Sequence, residues 1–454
     1  FKFMNLKIKQ KNFKDIAYKR TRNDWQRAAI IVIFLLLQAT AQSYPEKTNV
    51  TNTQNFPFKG DIFTGFVPVN NQTLSNIFYT LYGFNNGSII QPAPLIIWLD
   101  GGPGCASVSG TFSMFGPFGV TSRLTNFTLY PRNLTWNTLG HILTVDQPIG
   151  TGFSNAFQGE VVKTTEQATA HFQAFIARFY QLFPNFLDND LYIVGESYAG
   201  HYIPAFAHQI LSNRSNSYIK LKGVVLGAPW TDASQQVLAN SEYFYAAGLV
   251  NQKERDYLKT IEFTAVQAIY SGDYEYATNL FDFQRKYMWG ITGVDHFNYR
   301  DYPGEVAVDD GSVSWLNLTQ TQTLLGIPVK MNYIDCTKTV YNNMHADIAV
   351  SVSDRLPLLL ENIKVLAYAG QDDNDVEPAG IANFLKFVEW DGMRNIEVTP
   401  KKTWTMDGKV VGLFKTHLNY TYVTILKSGH IASYDQPGPN YDLLNRFINN
   451  IPFD

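Results

Sequence analysis

Five short apolar runs narrow the folds open to this chain. They are APLIIWLD (93–100), HILTVDQP (141–148), DLYIVGES (190–197), KLKGVVLGAP (220–229) and NIKVLAYAG (362–370). Each is a few residues long and ends in glycine, proline or a polar turn. A strand with no alternation of polar residues has no wet face, so it must be covered on both sides. Covers are available. TTEQATAHFQAFIARFYQLFP (164–184) places Ala168, Phe172, Phe175, Ile176 and Phe179 at helical spacing, with Pro184 just past its end. Residues 198–211 read as a second helix, and NYDLLNRFINN (440–450) as a terminal one. NIFYTLYGF (76–84) and YTYVTILKSGH (420–430) add an early and a late strand. Buried strands alternating with helices predict an α/β fold, with a mostly parallel central sheet flanked by helices. The rhythm breaks across 230–329, which is aromatic, acidic and helical in pattern. That stretch reads as a mainly helical cap insertion dividing one domain into 42–229 and 330–454. Residues 42–60 read as an irregular linker.

Residues 1–41 read as an address. A basic region ends at Arg27, the apolar run AAIIVIFLLL follows, and Ala39-Thr40-Ala41 supplies small residues in a cleavage pattern. The run is short for a bilayer span, so a signal peptide cleaved after Ala41 is expected, leaving no stable membrane anchor; a retained signal anchor is the alternative. Of the 36 Lys/Arg and 39 Asp/Glu, residues 1–41 hold nine and two, leaving 27 and 37 in the remainder. A body with a balance of −10 does not point to nucleic acid as a partner. It fits an acidic compartment, and solubility alone explains it equally well. Eight N-x-S/T sequons, at Asn49, Asn71, Asn86, Asn126, Asn133, Asn213, Asn317 and Asn419, corroborate secretion. Cys105 and Cys336 are the two cysteines; an oxidising compartment invites one disulfide, and two free buried thiols are the other reading. No metal-ligand spacing such as HExxH or CxxC occurs, and no cofactor is expected.

The chemistry centres on Gly195-Glu196-Ser197-Tyr198-Ala199, between a strand and a helix. Small residues there permit a sharp turn that exposes a serine hydroxyl. A serine nucleophile needs a base, and the base an orienting acid, in the chain order Ser, Asp/Glu, His on this architecture. His430 follows a strand and Ser428-Gly429, whereas His417 sits within strand-like sequence. Asp372, Asp373 and Asp375 all follow a strand end, and spacing leaves them equal candidates. An oxyanion hole takes one N–H from Tyr198 and another from an early loop after a strand; Asp100-Gly101-Gly102-Pro103-Gly104 is such a loop.

These motifs together resemble the serine carboxypeptidase family of α/β-hydrolases. The resemblance runs from about residue 55 onward, through WLDGGPGCAS (98–107), NLTWNTLGHILTVDQPIGTGFS (133–154), GESYAGHYIP (195–204) and SGHIASYDQP (428–437). The insertion, with YFYAAGLV and TGVDHFNY, looks closest to the vitellogenic-like and retinoid-inducible branch. The resemblance implies an α/β-hydrolase fold and a Ser197/Asp373/His430 triad. It also implies Gly102 and Tyr198 as oxyanion donors and a Cys105–Cys336 disulfide. It assigns Trp98, the residue at 100 and Glu196 to the substrate's terminal carboxylate. Here the sequence departs from the family. Asp100 replaces an asparagine, Met114 stands where a second glutamate is expected, and Ser433 replaces a proline.

The expected activity is acid-active removal of C-terminal residues from peptides and proteins through an acyl-enzyme, in a lysosome- or vacuole-like compartment or outside the cell. Ester hydrolysis or acyl transfer on the same scaffold is the alternative, because the departures lie in carboxylate recognition. A non-catalytic glycoprotein is a third reading, opposed by the intact triad. The two adjacent acids, Asp100 and Glu196, are expected to share a proton, unless Asp100 instead caps the amides of its own glycine loop.

Overall fold

The computed structural model describes residues 44–51, 56–70, 72–123, 126–302 and 311–453. The address segment 1–41 and the sequon at Asn71 lie outside them. The described residues from Pro45 onward form one compact unit.

Thirteen strands are found among the described residues: β1 (Thr48–Asn49), β2 (Ile62–Pro68), β3 (Asn76–Tyr82), β4 (Leu95–Leu99), β5 (Phe118–Arg123), β6 (Asn126–Pro131), β7 (His141–Asp146), β8 (Leu191–Glu196), β9 (Leu221–Gly227), β10 (Lys364–Gly370), β11 (Lys402–Met406), β12 (Lys409–His417) and β13 (Tyr420–Ile425). Eleven make one sheet in the order β1-β2-β3-β7-β4-β8-β9-β10-β13-β12-β11, and β5-β6 form a separate hairpin. From β7 through β13 the neighbours run parallel. The flanks, β1-β2-β3-β7 and β13-β12-β11, are antiparallel. The apolar runs are the parallel centre, and every residue of β4, β7 and β8 is buried. This is the α/β-hydrolase fold, a large mixed sheet flanked by helices.

Two helices fix the centre. Helix α1 (Thr165–Leu182) starts at Thr164, whose side chain accepts from the Gln167 amide, and buries the predicted stripe Ala168, Phe172, Phe175, Ile176 and Phe179. Helix α2 (Ala199–Ser212) leaves the tip of β8. Phe172 of α1 stacks on Phe206 of α2 at 4.2 Å, a pairing worth about 1 kcal/mol beyond the area it buries. The described residues between β9 and β10 form helices joined by loops and include the antiparallel pair α3 (Gln252–Tyr270) and α4 (Tyr274–Thr292). Asn251 opens α3 with a capping box to Glu254. The terminal helix α5 (Pro437–Asn449) begins before the expected residue 440, because Pro437 occupies the first turn, where a missing N–H costs nothing.

The 42–60 stretch is not a plain linker. It contributes β1 to the sheet edge and buries Val50, Phe56 and Phe58. The sequence pattern also misses β2, the β5-β6 hairpin and β11, and it registers β12 only as the strand-like residues around His417. Strands near a wet face mix polar and apolar residues, as the half-exposed pattern of β12 illustrates.

Candidate active site

The turn after β8 carries the serine. Ser197 has φ of +64°, the left-handed region that a side chain adopts only when its surroundings enforce it. Three backbone hydrogen bonds enforce it here. The Ser197 N–H donates to Gly227 O at 2.9 Å, and its carbonyl accepts from Gly200 N at 2.8 Å and Trp230 N at 3.0 Å. Gly195 is required because a Cβ there would lie 2.3 Å from Leu99 O on β4. Ser197 is thereby held at the surface of a cavity while its neighbours in sequence are buried.

The loop after β10 separates the three aspartates that sequence left equal. Asp373, fully buried, presents Oδ2 to His430 Nδ1 at 2.9 Å. Its Oδ1 accepts from the amides of Asp375 (2.8 Å) and Val376 (2.9 Å), which fixes the carboxylate's orientation. Asp372 faces elsewhere, accepting from the Tyr299 hydroxyl at 3.0 Å and pairing with Arg300 at 3.4 Å. Asp375 is ion-paired to Arg285 at 2.5 Å. With Nδ1 committed to Asp373, His430 turns Nε2 toward the cavity that Ser197 also lines. Phe297 braces the imidazole from the helical excursion: the rings stack at 5.5 Å, and the His430 amide donates to Phe297 O at 2.7 Å. Burial pulls the imidazole pKa down, but Asp373, Asp375 and Glu196 outweigh it and push His430 up to about 9. His417 lies at the end of β12, in contact with Asn395.

The glycine loop after β4 meets the serine turn closely. A Cβ on Gly101 would sit 2.5 Å from Tyr198 N and 2.8 Å from Ser197 Cβ. Among the described residues, the backbone N–H groups of Gly102 and Tyr198 find no hydrogen-bond acceptor. Gly102 and Ser197 line the same cavity, so both amides stand beside the serine and free to donate. Cys105, three residues on, is bonded to Cys336. Tyr198 is anchored by an aspartate that sequence reasoning missed. Buried Asp347 accepts from the Tyr198 hydroxyl (2.6 Å), the Thr165 hydroxyl (2.6 Å) and the Thr165 amide (2.9 Å), tying α2 to the start of α1.

Beyond the serine, a cavity of about 400 Å³ is lined by Asp100, Met114, Glu196, Ser197 and His430 among others. Asp100 and Glu196 both face it, but their carboxyls are not hydrogen-bonded to each other. Asp100 Oδ1 accepts from Gly101 N at 2.7 Å. Glu196 Oε1 accepts from the Tyr368 hydroxyl and the Ala432 amide, each at 3.2 Å. The expected shared proton is therefore replaced by capping of the glycine loop: a carboxylate beside a run of free amides takes the nearest one. Both groups stay protonated far above the usual carboxylate range. Burial, with Asp335 nearby, raises Asp100 to about 7. Burial, opposed by His430 and aided by Asp100, raises Glu196 to about 8. Trp98 does not line the cavity. It is fully buried among Phe115 and Trp136, with Nε1 unpartnered.

The sequons divide by environment. Asn86, Asn126, Asn133 and Asn419 are exposed, as is Asn49 on β1. Asn213 is half-buried, its side chain capping the Ser215 amide. Asn317 Nδ2 already donates to Val313 O and Tyr333 O, so a glycan there, which replaces one of the two Nδ2 hydrogens, displaces at least one of these bonds.

Comparison with known proteins places the chain in a family. The serine carboxypeptidase family profile matches residues 51–450. A probable serine carboxypeptidase CPVL of Dictyostelium discoideum is 34% identical over 417 residues, covering 89% of this chain and 81% of the relative. Its human namesake is 32% identical, covering 86% and 84%. A venom serine carboxypeptidase of Apis mellifera is 31% identical, covering 86% and 85%. Among solved structures, a prohormone-processing carboxypeptidase of Saccharomyces cerevisiae superposes with a TM-score of 0.74 at 23% identity, over 86% of this chain and 92% of that one.

Proposed function

The chain belongs to the serine carboxypeptidase family, and we propose that it removes C-terminal residues from peptides with Ser197 as nucleophile, His430 as base and Asp373 as orienting acid. The observation that carries the assignment is the 2.9 Å bond from His430 Nδ1 to Asp373, made beside a cavity into which Ser197 and His430 both face.

The steps follow from the geometry. Ser197 Oγ attacks the carbonyl carbon of the last peptide bond while His430 Nε2 takes its proton. The carbonyl oxygen becomes an oxyanion, and the N–H groups of Gly102 and Tyr198 receive it. Losing one such donor typically costs about 10²–10³ in rate. Collapse of the intermediate breaks the C–N bond, and His430 gives its proton to the departing amine. An acyl-serine remains. Water then attacks it, His430 again taking the proton; the Ser197 Oγ–C bond breaks as His430 returns that proton to Oγ, and the shortened peptide leaves. Asp100 and Glu196 face the departing residue, and in their protonated form they can donate hydrogen bonds to its carboxylate. The chain between β9 and β10 acts as the cap over this cleft, with 230–329 as its core. An acidic compartment of the secretory pathway, or the exterior, suits acids that must keep their protons, while His430, raised to about 9, is then mostly charged and turnover runs through its neutral minority.

Ester hydrolysis or acyl transfer is a second reading. It is favoured by apolar Met114 in the cavity wall, where the resemblance expects an acid. One experiment separates the two. A blocked dipeptide is compared with its C-terminal amide, alongside fluorophosphonate labelling. Preference for the free acid and labelling at Ser197 support the carboxypeptidase. Labelling at Ser197 with no preference supports the second reading, and labelling at another residue overturns the site.

A further inference from the structure

A second carboxylate stands on the proton-accepting side of His430. Asp375 Oδ2 lies 3.8 Å from His430 Nε2, too far for a hydrogen bond but near enough for charge to act. The Asp375 side chain is only 8% exposed, so water screens it poorly. Its other oxygen is held at 2.5 Å by a guanidinium nitrogen of Arg285. Arg285 comes from helix α4, outside the sheet and its loops. It lies over the Trp289 ring at 5.4 Å, and its Nε is buried without a partner. Arg285, Asp375, Ser197 and Gly102 together line both the 400 Å³ cavity and a smaller one of about 50 Å³. The ion pair thus borders both spaces that the nucleophile lines.

An unpaired Asp375 would favour the charged imidazolium, or draw Nε2–H toward itself and away from Ser197. Either event disables the base. We propose that Arg285 is a positioning residue for the triad: by holding Asp375 in an ion pair, it leaves His430 Nε2 free to take the Ser197 proton, and so couples the readiness of the site to the seating of helix α4. The inference rests on the serine-hydrolase reading above. Other charges also face His430. Asp373 bonds Nδ1, Glu196 and Asp100 act through the cavity, and His296 acts from the helical excursion, while the stacked Phe297 carries none. Arg285 also meets the charge of Asp282 and the Tyr341 hydroxyl and bears on His296, but among these partners it is Asp375 that brings an anion to His430 Nε2.

The sign is fixed. Attack requires neutral Nε2, so an uncompensated anion beside it moves the acid limb of reactivity to higher pH. The readout is the second-order rate of Ser197 labelling by a fluorophosphonate as a function of pH. That probe has no terminal carboxylate, so Asp100 and Glu196 as carboxylate binders do not enter. Wild type, Arg285→Met, Arg285→Lys, Asp375→Asn and the Arg285→Met/Asp375→Asn double variant are compared as full chains. In Arg285→Met the midpoint should rise by about one pH unit, giving about tenfold slower labelling below it and an unchanged plateau above. Arg285→Lys should stay near wild type, Asp375→Asn should fall below it, and the double variant should follow Asp375→Asn. A pH-independent loss in Arg285→Met, or an unmoved midpoint in Asp375→Asn, overturns the inference. If Arg285→Met does not fold, Asp375→Asn decides alone. Failure of wild type to label at Ser197 overturns the parent reading; labelling with unmoved midpoints overturns only this one.

Discussion

The hydroxyl of Ser433 donates to Met114 Sδ at 3.0 Å, across 319 residues of sequence. Both residues are buried, and both depart from what the family resemblance leads one to expect. They form one substitution in space: a thioether replaces an acid, and a hydroxyl beside it supplies the contact. Thioether sulfur is a weak acceptor, so little holds this pair except packing. In Met114→Glu the same hydroxyl meets a strong acceptor, and the cavity regains a second acid near Glu196. The preference for a free-acid dipeptide over its amide should then rise about tenfold at pH 5, the worth of roughly one added hydrogen bond. It should fade at neutral pH as the new acid ionises. An unchanged preference at pH 5 would show that position 114 does not reach the substrate.

Asp100 supports a separate expectation. Asp100→Asn keeps an oxygen for the Gly101 amide, removes a charge and adds N–H donors facing the cavity. Wild-type Asp100 loses its proton near pH 7, so the variant should differ most above that. KM for a free-acid dipeptide at pH 8 should fall severalfold relative to wild type, with KM for the matching amide unmoved. Equal KM values for wild type and variant at pH 8 would remove Asp100 from the substrate's surroundings.

Much of this site is written in local sequence. The serine turn, the glycine loop and His430 each follow an apolar run, and such runs reveal themselves as buried strands. Asp372, Asp373 and Asp375 do not separate that way. They share one short loop, and only its path over β13 decides which side chain meets His430. Asp347, Phe297 and Arg285 were illegible for a further reason. They come from segments outside the sheet, where no periodicity records what a side chain will touch. The proton sharing expected for Asp100 failed on a local fact, the free amide of the next residue.

Asp347 is the sharpest of the missed residues. It accepts three hydrogen bonds from two buried partners, one of them the tyrosine whose amide flanks Ser197. Asp347→Ala leaves those donors buried without acceptors, at a cost of roughly 2–4 kcal/mol. A fall in Tm and slower fluorophosphonate labelling at every pH are expected, because the Tyr198 amide loses its register. A variant with wild-type Tm and labelling rate would reduce Asp347 to a spectator.

The buried acids also set how stability responds to pH. Burial, the largest influence on each, holds Asp100, Asp146 and Glu262 protonated to about 7 and Glu196 to about 8. In the unfolded chain these groups release protons near pH 4. Between roughly pH 4 and those higher values, the folded protein binds more protons, so stability must fall as pH rises. His430, raised to about 9, extends the same trend above about pH 6.5. Burial lowers His141, His171 and His296, which opposes it by costing stability as pH drops below about 6.5. Tm should therefore be several degrees higher near pH 5.5 than at pH 8. Glu262 offers a test away from the site. Its Oε1 accepts from the Ser241 amide and from Gln284, and its Oε2 from the Ser241 hydroxyl. In Glu262→Gln the amide oxygen keeps the first two bonds, and the Ser241 hydroxyl rotates to accept from the new NH₂. The variant loses a titration and little else, so its Tm should decline less between pH 5.5 and 8. A wild-type Tm that rises over that interval, or an identical decline in Glu262→Gln, would mean that these carboxyls ionise without burdening the fold.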